Sequence, residues 1–393
     1  MKLLFPLLLA LAFTASSIAH AAPAKKRPPA AKSGKAKAAK KAKAPVTAKA
    51  PVKPKRVVAP VDYSGEQVNF GEWRAVSDFA DDIALRHGFP REELRALLSQ
   101  IRYIESAVQL VKPAPPGKPK NMHAVRDLMI EPVRVNAGVK FWNEQGAVLA
   151  RAEAEFGVPA EVIVGIIGIE TVYGRNTGRF RILDVLTTLG FAYPEAPNQA
   201  ARMAFFRGEL ENALVLARKN GIDPFSLLGS FAGAIGMPQF MPGSVLAYGV
   251  DYDGDGAVDL RNSTADAIGS VASFLVQHGW QRNEGGPLVY PANVAPGRAW
   301  EAMLGQGLSA KYRMPELIAA GVATPVPPPA DRMLGLIDLQ NGADATEYWI
   351  ATNNFFAITQ YNRSYFYAMS VIELGRAVKL AREAPPLILR ETL

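Results

Sequence analysis

Between Val158 and Arg175 the sequence holds a stretch that reads as a helix with apolar residues on every side. Pro159 suits a first helical turn, and Gly174 suits the stop after the last. A helix without a polar face has to be surrounded by protein, so the chain must build a core around this one segment. A single residue breaks the run. Glu170 shares a stripe with Ile163, Ile166 and Ile167 at helical spacing. An ionised carboxylate on that stripe is costly to bury, and the cheap response is a raised pKa and a protonated acid at neutral pH. That is the state a general acid needs. The alternative is a frayed helix end at which Glu170 pairs with Arg175 or another arginine. The helix alone leaves both readings open.

The rest of the folded chain supplies the surroundings. Phe70-Gly71-Glu72-Trp73 opens it, and apolar residues recur at three- and four-residue steps over 74–88, 91–102 and 132–156, the helical period. Pro90, and Pro113 to Pro119, interrupt the pattern. A further helix is predicted from Ala265 to His278. From 287 the pattern turns partly to strands, with short apolar runs at 287–290, 334–339 and 347–351 and a helical stretch at 297–320 between them. A last helix is predicted over 365–382. The fold class is therefore mainly α, of the α+β kind, with a small β-containing part at about 286–349. The other boundaries are a helical N-terminal part at about 65–156 and a core built from about 157–285 and 350–385.

Composition matters most before residue 61. Of the 44 basic and 36 acidic residues, Lys2 and 13 Lys or Arg at 23–60 fall in a region with no acid, leaving 30 basic and 36 acidic residues on 61–393, a net of −6. A basic nucleic-acid-binding face on the body is disfavoured. Lys2, the apolar run Leu3 to Phe13 and Ala19-His20-Ala21 describe a secretory signal peptide over 1–21, with an uncleaved anchor helix as the alternative. Residues 22–60, almost all Ala, Lys and Pro, read as a disordered tether. Adhesion to an anionic surface and nucleic-acid binding compete with plain spacing there. No later segment reaches the run of about 18 apolar residues that a membrane span needs. The mature chain is expected to be soluble and exported. Without cysteine, disulfides, thiol nucleophiles and an N-terminal lipid anchor are excluded.

Three more segments carry chemistry. From Ser230 to Pro242, glycines and prolines crowd around Ser230 and Gln239. Glycines allow close backbone approach, and the two polar residues suit a sugar or a carboxyl group; a tightly packed helix–loop junction is the plainer reading. Asp251, Asp253 and Asp255, followed by Gly256, fit positions 1, 3, 5 and 6 of an EF-hand calcium loop, with the Ala257 carbonyl at position 7. Asn262 stands where the usual Glu belongs, so a lengthened loop ending in Asp266 would have to supply the last carboxylate. The plainer reading is an Asp/Gly-rich turn. Finally, Tyr361 and Asn362 pair an aromatic platform with an amide, as sugar sites do, or else mark a β-to-α junction capped by Asn362 or Ser364.

Taken in order, Ile169-Glu170-Thr171-Val172-Tyr173-Gly174-Arg175, Ser230 to Pro242, Asp251 to Gly256 and Tyr361-Asn362-Arg363-Ser364 resemble the membrane-bound lytic murein transglycosylase B family over about residues 65–385. Arg134 to Trp142 and Phe205 to Leu210 follow the same pattern. The resemblance implies a lysozyme-like helical core with an embedded EF-hand-like calcium loop at 251–266, and peptidoglycan glycan strands as substrate. It implies Glu170 as the single catalytic acid, and Ser230, Gln239, Tyr361, Asn362 and Tyr173 as substrate-binding residues. Asp251, Asp253, Asp255, Ala257 and Asp266 match the calcium loop, which would hold a structural Ca2+; no organic cofactor is implied. Cell-wall synthesis proteins are candidate partners, nucleic acid and a transmembrane anchor are not, and the implied location is the periplasm. The sequence departs from the family in lacking the lipid-attachment cysteine, in a small insertion at 195–201 after Tyr193-Pro194, and in ending soon after the last core helix.

A single acid has a chemical consequence. Ordinary glycosidases use two carboxylates. With one, the substrate must supply the nucleophile, and the expected product is a 1,6-anhydro-MurNAc end formed without water. A hydrolytic muramidase and a non-catalytic wall-binding protein are the rival readings, and a calcium sensor is a third.

Overall fold

A computed structural model of the chain describes residues 70–112, 119–282 and 284–384. The signal peptide and tether expected at 1–60 lie outside the described residues. The helices in chain order are α1 (Arg74–His87), α2 (Arg91–Leu98), α3 (Glu105–Leu110), α4 (Met122–Met129), α5 (Pro132–Phe156) and α6 (Ala160–Thr171). A two-residue strand β1 (Phe180–Arg181) leads into α7 (Ile182–Phe191) and α8 (Gln199–Lys219), then β2 (Leu228–Gly229), α9 (Pro242–Tyr248) and α10 (Thr264–Gln277). The small β part holds β3 (Val289–Val294), α11 (Met314–Ala319), β4 (Val322–Ala323), β5 (Leu334–Asn341) and β6 (Asp344–Thr352). The chain returns to the helices with α12 (Asn353–Tyr361) and α13 (Tyr365–Glu383).

The all-apolar helix is α6, and every residue from Val162 to Gly168 is buried. It packs among α5, α10 and α13. Two glycines set how close α6 and α13 come. A Cβ on Gly165 would stand 2.2 Å from the Val371 carbonyl oxygen, and one on Gly375 would stand 2.1 Å from that of Glu161. The two backbones therefore touch directly at both ends of the crossing. Asn121, Ser263 and Ser364 cap α4, α10 and α13 by accepting from the amides of Ala124, Asp266 and Tyr367, as short polar side chains do at helix starts.

The β part is an antiparallel sheet in the order β4-β3-β6-β5. One face carries its own apolar cluster of Tyr290, Trp300, Met314, Leu317, Val322, Leu334, Leu336 and Ile350. A separate two-stranded pair, β1 with β2, ties the start of α7 to the glycine-rich segment.

Several expectations are revised. The second helix stops at Leu98 rather than 102. The helical stretch predicted over 297–320 is a 3-10 turn at Ala299–Met303 and the short α11; Gly305 and Gly307, with φ 65 and 95, unwind the chain between them. The run Phe355 to Tyr361 belongs to a helix, α12, in which Phe355, Phe356 and Ile358 are buried. The apolar helix itself ends at Thr171, three residues before Gly174, because the chain turns left-handed sooner than its glycine.

Candidate active site

Glu170 is the penultimate residue of α6. The residue is half-buried. Burial drives its pKa up to about 7, and a hydrogen bond from Tyr367 works in the opposite direction. The Tyr367 hydroxyl donates to Glu170 Oε1 at 2.7 Å. Among the described residues neither a cation nor a second carboxylate figures in setting that pKa. The pairing with Arg175 weighed above is absent from the described ion pairs, and burial is the largest influence on the carboxyl.

The turn after Glu170 is strained. Val172 and Tyr173 have φ 51 and 59, a left-handed conformation rare for any side chain and an outlier for a β-branched one. The amides of Val172 and Tyr173 bond back to the carbonyls of Gly168 and Ile167. Thr171, wholly buried, donates its hydroxyl to the Met237 carbonyl at 2.8 Å and accepts from the Gly174 amide at 3.0 Å. Gln239 is left-handed as well, with φ 52, so three of the four such non-glycine residues described lie in these two segments. Strain of this kind clusters where function requires a fixed geometry.

The glycine-rich segment docks on that turn. Gln239 Nε2 donates to the Gly236 carbonyl at 2.9 Å and to that of Thr177 at 3.4 Å. Ser230 Oγ accepts from the Ala234 amide at 3.0 Å. Gly178 lies flat against Gly229 and Ser230, where a Cβ would come within 2.0 Å of the Gly229 carbonyl oxygen. On the other side, the Tyr361 hydroxyl donates to the Pro238 carbonyl, and its ring stacks with Tyr367 at 6.2 Å. Burial, then the nearby charge of Glu170, pushes both tyrosine hydroxyls well above the usual range. Asn362 ends α12, and its buried Oδ1 has no hydrogen-bond partner among the described residues. The structure thus joins Glu170, Gln239 and Tyr361 through Thr171, Met237 and Pro238, with Ser230 on the Gly178 side and Asn362 next in chain to Tyr361.

Tyr173 stands apart from this group. Its ring packs on Phe141 at 5.1 Å, and its hydroxyl lies in the gap left by Gly138 and Gly168, where it has no partner among the described residues. Tyr367 is the residue sequence reasoning missed. It follows the cap Ser364 by three positions, but its role depends on where α13 crosses α6, which no local pattern records.

The aspartate loop gathers three of its expected groups. Carboxylate oxygens of Asp251, Asp253 and Asp255 lie within 4.8 Å of one another. Asp266 lies outside that cluster, wholly buried beneath the loop: Oδ1 accepts from the amides of Tyr252 at 2.7 Å and Asp253 at 3.3 Å, and Oδ2 from that of Asp259 at 2.8 Å. Asp259 bonds the amides of Arg261 and Asn262. Three oxygen ligands in one small space suit a hard divalent cation. The fit is good for those three, while Asp266 already holds the loop's backbone.

A mainly helical core with one small sheet, whose innermost helix ends in a desolvated carboxyl bonded by a tyrosine, has the architecture of a lysozyme-like enzyme. The family model for the transglycosylase SLT domain matches residues 71–376, and the chain belongs to that family. Membrane-bound lytic murein transglycosylase B of Escherichia coli (strain K12) is 42% identical over 314 residues, covering 77% of this chain and 82% of that protein. The catenated lytic transglycosylase SltB1 from Pseudomonas aeruginosa is 41% identical with a TM-score of 0.72, over 80% of this chain and 100% of that one. The Escherichia coli lytic transglycosylase Slt35 in complex with calcium is 39% identical with a TM-score of 0.69, over 82% and 96%. The activity that follows is that of a lytic murein transglycosylase, a lyase that breaks glycosidic bonds.

Proposed function

We propose that Glu170 serves as acid and then base in cleaving the MurNAc–GlcNAc β-1,4 bond. The observation that carries this reading is a carboxyl with its pKa raised to about 7 by burial and bonded through Oε1 by Tyr367. At neutral pH a large share of it is protonated, with Oε2 left to hand the proton to the glycosidic oxygen. The MurNAc N-acetyl carbonyl stabilises C1 as an oxazolinium-like species. Glu170, now a carboxylate steadied by the Tyr367 hydroxyl, takes the proton from the C6 hydroxyl, which closes onto C1. The product is a 1,6-anhydro end. Ser230 and Asn362 hold the N-acetyl or lactyl groups, and the unpartnered Asn362 Oδ1 suits an amide N–H. Gln239 and Tyr361 shape the cleft wall between them. Tyr173 acts from the far side of the strained turn.

Asp251, Asp253 and Asp255, with the Ala257 carbonyl, would hold a structural calcium ion, whose charge would relieve the mutual repulsion of the three carboxylates; Asp266 organises the loop around it. The enzyme is exported by the signal peptide at 1–21 and works on murein in the periplasm behind the basic segment at 22–60. No described helix is long and apolar enough to cross a membrane.

The deciding experiment is a mass spectrum of muropeptides released from purified murein by the wild type and by Glu170→Gln, which keeps the shape and loses the acid. Anhydro ends from the wild type and none from the variant are expected. Wild-type release by Glu170→Gln would remove the assignment, and reducing ends would mean hydrolysis.

A further inference from the structure

Three consecutive residues that leave the aspartate loop reach back to the segments that build the site. Asp259 Oδ1 accepts from the amides of Arg261 and Asn262 at 3.0 and 2.9 Å and fixes the local turn. The Leu260 carbonyl accepts from the Met237 amide at 2.8 Å, and Gly236 lies so near that a Cβ on it would stand 2.3 Å from the same oxygen. Arg261 spans more of the site. Its Nη1 donates to the Leu228 carbonyl and its Nη2 to that of Gly178, each at 3.1 Å. Leu228 belongs to β2, and Gly178 lies just before β1, whose Phe180 pairs with Gly229. One planar fork therefore holds the chain on both sides of the β1–β2 pair, a reach that the single ammonium of a lysine lacks. Burial opposes the charge of this half-buried cation, Asp259 supports it, and Arg179 opposes it again. A cation in such a place needs its bonds to offset the cost of desolvation.

Both clamped carbonyls adjoin Ser230. A Cβ on Gly178 would stand 2.5 Å from the Ser230 amide nitrogen, so the two segments lie backbone on backbone. The Ser230 amide donates to the Ala234 carbonyl at 2.8 Å, and Ser230 Oγ accepts from the Ala234 amide at 3.0 Å. A hydroxyl that accepts from its own turn keeps its proton for an acceptor on a ligand. Where that proton points depends on how Leu228 to Ser230 lie against Gly178, which is the spacing the guanidinium spans. We propose that Arg261 is a positioning residue for substrate binding, which clamps Gly178 to Leu228 and thereby fixes Ser230 in the cleft wall. It touches no reacting atom and acts through Ser230. The proposal rests on Ser230 holding the N-acetyl or lactyl group of the strand. It leaves Glu170 alone, since burial and Tyr367 set the pKa of that acid.

The test is a set of kinetic measurements on purified murein with the full chain carrying Arg261→Met, Arg261→Lys, Ser230→Ala or Ser230→Ala/Arg261→Met. All are made at a temperature where thermal melts show every variant folded. Arg261→Met keeps the length of the side chain and removes both bonds. KM is expected to rise about tenfold with kcat within about twofold, the mark of lost binding that ground state and transition state share. The limb on which activity falls with rising pH stays in place. Arg261→Lys, with one point donor for two carbonyls, should raise KM only about threefold. Ser230→Ala alone should raise KM about tenfold. Adding Arg261→Met to it should change KM by less than about twofold, because both act on one contact. An unchanged KM in Arg261→Met, a loss carried by kcat, or effects that multiply in the double variant would overturn the proposal. Should Arg261→Met fail to fold, Arg261→Lys in the two Ser230 backgrounds makes the same comparison. Ser230→Ala with a wild-type KM would remove the Ser230 reading and Arg261 with it. A raised KM in Ser230→Ala beside a multiplying Arg261→Met would refute the positioning role alone.

Discussion

Under the proposed mechanism, Glu170 links catalysis to stability. Its pKa in the unfolded chain is that of an ordinary carboxyl, and folding raises it to about 7 by burial, against the bond from Tyr367. The folded state therefore binds the proton more tightly, and stability is lost as pH rises through the window from the ordinary value to about 7. Glu170→Gln should be more stable than the wild type at pH 8, by up to about 3 kcal/mol, and equal to it near pH 4; denaturant unfolding at the two pH values measures this. Tyr367→Phe removes the one bond that favours the ionised form. The limb on which activity falls with rising pH should then move to higher pH, with kcat down about tenfold, in a pH–rate profile on murein. An unmoved limb would show that Tyr367 does not set the acid's pKa. Glu170 was legible in the sequence because it interrupts an apolar run. Tyr367 was not, because its meaning lies in a contact between residues 197 positions apart.

At the scale of elements, acid and tyrosine meet only because α6 and α13 touch backbone to backbone. A methyl at Gly165 or Gly375 would lie 2.2 or 2.1 Å from a carbonyl oxygen of the other helix, a contact that cannot yield without the helices parting. Gly165→Ala and Gly375→Ala should each destabilise by about 2 kcal/mol and lower activity beyond that loss, read from the unfolding midpoint and from turnover at a temperature where both variants are folded. The long amphipathic helices and the apolar α6 were readable from their periods. The stretch 297–320 was not, since Gly305 and Gly307 overrule a helical pattern there. The aspartate loop was legible in part: the short spacing of Asp251, Asp253 and Asp255 brought them together, whereas the place of Asp266 depends on α10 turning its first residues into the protein. Asp266→Asn would face amide hydrogens with amide hydrogens. It should cost about 2 kcal/mol with or without calcium, whereas a residue acting only as a ligand would show its loss in calcium alone; thermal melts in calcium and in chelator distinguish the two.

Across the whole molecule, the four motifs are one mechanical unit. The Thr171 hydroxyl bonds the Met237 carbonyl, the Met237 amide bonds the Leu260 carbonyl at 2.8 Å, and Leu260 sits in the aspartate loop. Arg261, next in the chain, ties that loop to both Gly178 and Leu228. Met237 and Pro238 in turn join Thr171 to Tyr361. Their order in the sequence was therefore informative about the site even though more than 190 residues separate Glu170 from Asn362. The same connections give the loop a way to reach the cleft without touching substrate. If a cation between Asp251, Asp253 and Asp255 holds the loop, its removal loosens Leu260 and with it the wall carrying Gln239. Chelation should lower the melting temperature by several degrees, as loss of a bound ion does by mass action, and should raise KM for murein. The pH limb set by Glu170 should stay where it is, because burial and Tyr367 fix that pKa from α6 and α13. Calcium titration against melting temperature, KM and the pH profile together makes the check. A pH limb that moved with calcium would place the ion's influence on the acid itself rather than on the wall beside it.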